Sequence, residues 1–179
     1  MDRRKIKIPK LEAARRQVET AIRIYFANGD PVSIHTLAAA SLQILVDLDK
    51  KGTLWDFIET HVKPEHLSEV KKLFAEAENF FKHAERDPDK ILEFPLAEPE
   101  VFLWECVAKY PVLGGEVPLL MLAYRTWFLI QHSDILKPES RAVVNFSGLS
   151  IDFPESDRAR FLEYILPVLA KKVIAEKGQ

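Results

Sequence analysis

The four residues Asn28-Gly29-Asp30-Pro31 restrict this chain more than any other stretch, because they stop one helix and start another with almost no linker between. Asparagine and glycine tolerate the left-handed conformation that closes a helix. Aspartate is a strong N-cap, and proline suits the first helical position, where its missing N–H is no loss. Upstream, Leu11, Ala14, Val18, Ala21, Ile22, Tyr25 and Phe26 recur at helical spacing and leave Arg15, Arg16, Glu19 and Arg23 mostly off the stripe. Downstream, from Pro31 to about Asp49, Ile34, Leu37, Ala38, Leu42, Ile44, Leu45, Val46 and Leu48 form an arc wider than a one-sided surface helix needs. The chain must therefore fold back as an αα-hairpin whose second helix is covered by several partners. Within that helix, Ala38-Ala39-Ala40-Ser41 is narrow enough to let a neighbour approach closely.

The same period returns further along. Thr53 is placed to cap a short helix through Trp55, Phe57 and Ile58. From Pro64 to about Arg86, Leu67, Val70, Leu73, Phe74, Ala77, Phe80, Phe81 and Ala84 predict a long amphipathic helix, ended by Asp87-Pro88. Residues 91–98 read as irregular, and Glu100 to Tyr110 as a helix presenting Val101, Phe102, Trp104, Val107 and Ala108. Gly114-Gly115 marks a turn into an apolar helix across Val117–Ile130, residues 141–148 read as loop or helical turns, and a last helix starts near Asp157. Pro167 inside that last helix predicts a kink or a break. The expected fold is all-α: a single-domain helical bundle over residues 1–179, with an N-terminal αα-hairpin, a kinked C-terminal helix, and residues 1–8 disordered or extended.

Composition narrows the function classes. With 25 basic against 27 acidic residues, the chain has no net positive field to draw the whole domain onto nucleic acid. Cys106 is the one cysteine, so neither an internal disulfide nor a cysteine-rich zinc site can form, which suits a reducing cytosol. The start MDRRKIKIPK lacks the apolar run of a secretory signal, and Val117–Ile130 is too short to span a bilayer and carries Arg125. A cytoplasmic protein without a membrane partner is expected. Walker-type and dinucleotide-binding glycine patterns and a serine-hydrolase elbow are missing, so no cofactor is expected.

One stretch concentrates chemistry: ENFFKHAERDPD, residues 78–89. On a helix, Asn79 and His83 lie four apart on one face, as do His83 and Asp87, at the edge of the stripe that carries Phe81 and Ala84. With Lys82 and Arg86 they make a candidate binding group. The plain alternative is a helix end at which His83 complements the macrodipole and pairs with Asp87. His35, in the first turns of the second helix, is the other candidate. Its plain reading is a buried histidine satisfied by hydrogen bonding. The sharper one has His35 and His83 converging, with Asp87 or Asp89, on a metal ion in a metal-dependent hydrolase.

The arrangement ENFFKH resembles the motif of the HEPN superfamily of bacterial all-α proteins, in which arginine and a polar residue are followed by three residues and a histidine. Asn79 and His83 match, while Glu78 stands where the arginine belongs. The runs DPVSIHTLA and NFFKHA together also resemble an uncharacterised bacterial all-α family of similar length, which implies no activity. The HEPN resemblance implies a homodimer and, in active members, metal-independent RNA cleavage. A carboxylate at position 78 would repel a phosphate rather than hold it. The expected function is therefore a noncatalytic, homodimeric binding protein with a recognition pocket around Asn79 and His83 for an unidentified ligand or partner. A diverged HEPN-like endoribonuclease is the alternative, with RNA the less favoured partner.

Overall fold

The computed structural model describes residues 5–50, 59–60, 62–83, 85, 88–132, 134–135, 137, 153–154 and 157–177, with 70–76, 78–79 and 176–177 described by their backbone alone. It is an all-α bundle, with no β-strand among the described residues. Six helices are described: α1 (Lys10–Phe26), α2 (Pro31–Leu48), α3 (Pro64–Lys82), α4 (Glu98–Val112), α5 (Leu119–Gln131) and α6 (Arg158–Lys177). The expected short helix after Thr53 and the loop over 141–148 lie outside the described residues.

The hairpin forms as the turn chemistry dictates. Asn28 takes φ 52°, and the Asp30 carboxylate accepts from the Ser33 N–H at 2.8 Å and the Ser33 hydroxyl at 2.6 Å, with Pro31 opening α2. Gly29 is required for space. A Cβ there would meet Ile24 Cγ2 at 2.6 Å. α1 packs most extensively on α2, α2 next on α4, and α5 on α6, while α3 leans on α4 and α2. The narrow stretch of α2 is used as its residue sizes imply. Ser41 Oγ donates to the Ala14 carbonyl of α1 at 3.0 Å, and Cys106 Sγ of α4 donates to the Ala38 carbonyl at 3.3 Å. By length and composition α2 could cross a membrane, but in this fold Ile34, His35, Ala38, Ala39, Ser41, Leu42 and Leu45 are buried in the bundle.

An aromatic core joins α1, α5 and α6. Phe26 stacks on Phe161 with centroids 6.0 Å apart, Trp127 meets Phe161 at 4.9 Å, and Tyr25 meets Tyr124 edge-on at 5.3 Å. Burying each such ring contributes roughly 2–3 kcal/mol, so these contacts dominate the attachment of α6.

Several expectations are corrected. α3 ends at Lys82 rather than near Arg86, so His83 lies just beyond the helix and not on its last turn. α4 begins at Glu98, with Pro99 in its first turn, because a proline is harmless where no intrahelical N–H bond is made. Of the kink or break expected at Pro167, the break does not occur: the residue sits inside a continuous helix at an exposed position, where water can take the carbonyl its missing N–H leaves.

Candidate functional site

Of the residues grouped by sequence, the structure describes the side chains of Lys82, His83 and His35. Lys82 is exposed at the end of α3, and His83 is half-buried with Nδ1 3.3 Å from Glu85 Oε1. Asn79 lies on α3 with its side chain outside the described residues, as are Arg86 and Asp87 altogether. His35 is buried. Its ring lies among Phe102, Phe81 and Phe94 at centroid distances of 4.5, 5.3 and 5.4 Å, with Nδ1 3.6 Å from Glu98 Oε1. It thus clasps the end of α3 and the segment before α4 to α2, and its contact with Phe81 brings it near the expected site without opening it to solvent. Among the described residues, no three His, Cys, Asp or Glu side chains are grouped to hold a metal ion.

A different constellation stands beside the hairpin turn, two residues along α4 from the Glu98 that meets His35. Glu100, in the first turn of α4, is buried and ringed by donors from three other elements. Tyr25 Oη donates to Glu100 Oε1 at 2.9 Å, Arg158 Nη2 to the same oxygen at 3.0 Å, and His132 Nε2 to Oε2 at 2.7 Å. Trp127 Nε1 donates to Tyr25 Oη at 2.9 Å, and Tyr124 Oη to the Glu100 carbonyl at 2.7 Å. The Arg158 guanidinium lies 4.1 Å from the centroid of the Tyr25 ring, a cation–π contact that fixes its plane. Removing one member of such a buried charge network costs about 3–5 kcal/mol, because the rest is left uncompensated.

Burial raises the Tyr25 phenol well above its ordinary range, and the neighbouring Glu100 carboxylate adds to the shift. Burial raises Tyr124 too. The Cys106 thiol is likewise pushed up by burial, which leaves it inert as a nucleophile.

Beside this network opens a cleft of about 640 Å³. Its apolar wall is Pro31, Ile34, Leu96 and Pro99, and its polar groups come from Tyr25, Asn28 and Arg158, with Gly29 at the turn. Pro31 is the first residue of α2, Pro99 the second of α4 and Arg158 the first of α6, so three helix N-termini border one concavity. Each presents the positive end of a helix dipole, offset by the Asp30 cap on α2 and by Glu98 and Glu100 in the first turn of α4. Asp30 is not part of the lining, and its carboxylate is held by Ser33, which depresses its pKa.

Compared with protein-family models, curated proteins and solved structures, the chain has no match.

The cluster was missed in sequence because Tyr25 reads as core and Glu100 as a helix start, and no local pattern singles out His132 or Arg158. One signal was present. Glu98, Glu100, Glu105 and Lys109 sit on a helix that is otherwise apolar nearly all round, and charges on a buried helix must find partners.

Proposed function

We propose that this chain is a noncatalytic binding protein that takes a small ligand into the cleft bordered by Tyr25, Asn28, Ile34, Leu96 and Arg158. The observation that carries this reading is the union of an apolar concavity with a rigid polar wall. The wall is held from behind by Glu100, which engages Tyr25, Arg158 and His132 at 3.0 Å or less. Largely apolar clefts with a few fixed polar groups are the usual form of small-molecule sites.

The chemistry of the wall favours binding over turnover. Glu100 has its two carboxylate oxygens occupied and its side chain 7% exposed, so it acts as a strut for Arg158 and Tyr25 rather than as a general base. Tyr25, held neutral by burial and with its hydroxyl bonded between Glu100 and Trp127, braces the wall and does not deprotonate a ligand near neutral pH.

The test uses a neutral apolar fluorophore, N-phenyl-1-naphthylamine, titrated into the folded protein. Saturable binding is expected, and Leu96→Trp, which fills the cleft from an exposed rim position, should abolish it without lowering the melting temperature. Binding that is unaffected by Leu96→Trp would place the apolar site elsewhere and overturn the reading.

A further inference from the structure

A second concavity, of about 410 Å³, lies toward the other end of α1. Arg15 of α1, Tyr110 near the end of α4, Pro118 and Leu119 at the start of α5 and Val173 of α6 border it. Arg15 and Tyr25 are ten positions apart on α1, about 15 Å of helix, so it is separate from the cleft beside Glu100. We infer that this concavity is a further binding site, for an uncharged molecule that presents a carbonyl oxygen to Tyr110 on an otherwise apolar body.

Tyr110 carries the inference. The residue is 5% exposed, yet its hydroxyl has no hydrogen-bond partner among the described residues, whereas the hydroxyls of Tyr25 and Tyr124 are both engaged. A phenol buried to this extent usually finds a partner. Its position is fixed by the turn that leads into α5: a Cβ at Gly115 would meet Tyr110 Oη at 2.8 Å, so the bare glycine lets the chain close against the ring. Burial keeps the phenol protonated, which makes it a donor.

The charges at the edge are of both signs. Arg15 donates from Nε and Nη2 to Glu12 at 2.7 and 2.8 Å and from Nη1 to Glu19 at 3.1 Å, while Glu116 stands exposed at the rim. An ion of either sign would meet a like charge there. An uncharged acceptor meets none. Pro118 opens α5 without a side-chain cap, and the first turn has no acidic residue, so the N–H groups of Leu119 and Leu120 lack an intrahelical acceptor and favour a carbonyl oxygen as the phenol does. Pro118, Leu119 and Val173 supply the apolar wall.

The experiment follows backbone-amide NMR shifts at Gly115, Glu116 and Leu119 while three probes are titrated: acetophenone, α-methylstyrene, which has the same shape without the acceptor, and benzoate. Acetophenone should give saturating shifts at these amides, in the wild type and equally in Leu96→Trp, and benzoate should bind no more tightly than acetophenone. Tyr110→Phe keeps the ring against Gly115 and removes a hydroxyl that bonds nothing in the fold, so its melting temperature should equal that of the wild type. It should weaken acetophenone about fivefold, the effect of one neutral hydrogen bond, and leave α-methylstyrene unchanged. No saturating shifts at these amides would overturn the site. An equal effect of Tyr110→Phe on both neutral probes, or tighter binding of benzoate than of acetophenone, would overturn the assignment of an uncharged carbonyl ligand.

Discussion

Replacing Tyr25 by phenylalanine removes one hydroxyl and almost no volume, which makes it the cleanest probe of the buried network. That hydroxyl donates to Glu100 Oε1 and accepts from Trp127 Nε1, both at 2.9 Å, and the residue is 1% exposed. A hydrogen bond to a charged group is worth about 1.5–3 kcal/mol and a neutral one about 0.5–1.5 kcal/mol. The substitution also strands the Trp127 N–H in the core, so a loss of about 3 kcal/mol is expected. In a chain of 179 residues that lowers the melting temperature by roughly 6–12 °C. Urea denaturation followed by tryptophan fluorescence reads it directly, with an unchanged slope showing that only stability moved. Tyr124→Phe is the internal control, since its hydroxyl makes one bond, to the Glu100 carbonyl at 2.7 Å, and its loss should be near ~1 kcal/mol. If Tyr25→Phe lies within about 0.5 kcal/mol of wild type, or costs less than Tyr124→Phe, the network does not hold the bundle together as described.

Raising the pH gives a second check: Tyr25 and Tyr124 have folded-state pKa values above their unfolded ones, so their stabilisation is complete below about pH 10 and is lost as pH rises beyond it. Phenolate absorbance from these two residues should appear only together with loss of helical circular dichroism, and ionisation ahead of unfolding would show them to be solvated. Asp30 has the opposite sign: its depressed pKa contributes stability above the ordinary aspartate range that disappears as pH falls through the folded value, so Asp30→Ala should destabilise at neutral pH and much less in acid. A pH-independent difference between the two proteins in chemical denaturation would contradict the cap. Phe81→Ala should cost roughly 1.5–3 kcal/mol, below the 3–5 of a fully buried phenylalanine, because the ring is half-buried against His35 and Phe94. A denaturation midpoint equal to wild type would show that it does not anchor the end of α3.

The hairpin was legible in the sequence because its signals are local. Asn28, Asp30 and Pro31 each have one favoured position at a helix terminus, and the stripe from Ala14 to Phe26 has only one way to face inward. The boundary of α3 was less so, since Lys82 and His83 continue the periodic pattern while the backbone leaves the helix there. At Pro167 kink and break stayed open because proline's penalty depends on whether the freed carbonyl meets water, which the sequence does not reveal. The candidate site was the least legible part. Tyr25, Glu100, His132 and Arg158 are separated by up to 133 positions and meet only because α1, α4, α5 and α6 pack around one end of the bundle. Short-range spacing, which singled out Asn79 and His83, has no access to that.

The most direct test of the proposed cleft is a backbone-amide NMR titration with N-phenyl-1-naphthylamine, because it reports on the cleft and on the end of α3 in one experiment. Saturating shifts at Asn28, Gly29, Ile34 and Leu96, with Lys82 and His83 unmoved, are what the cleft account predicts. Shifts centred on Lys82 and His83 with a silent cleft would contradict it and return the binding site to the end of α3.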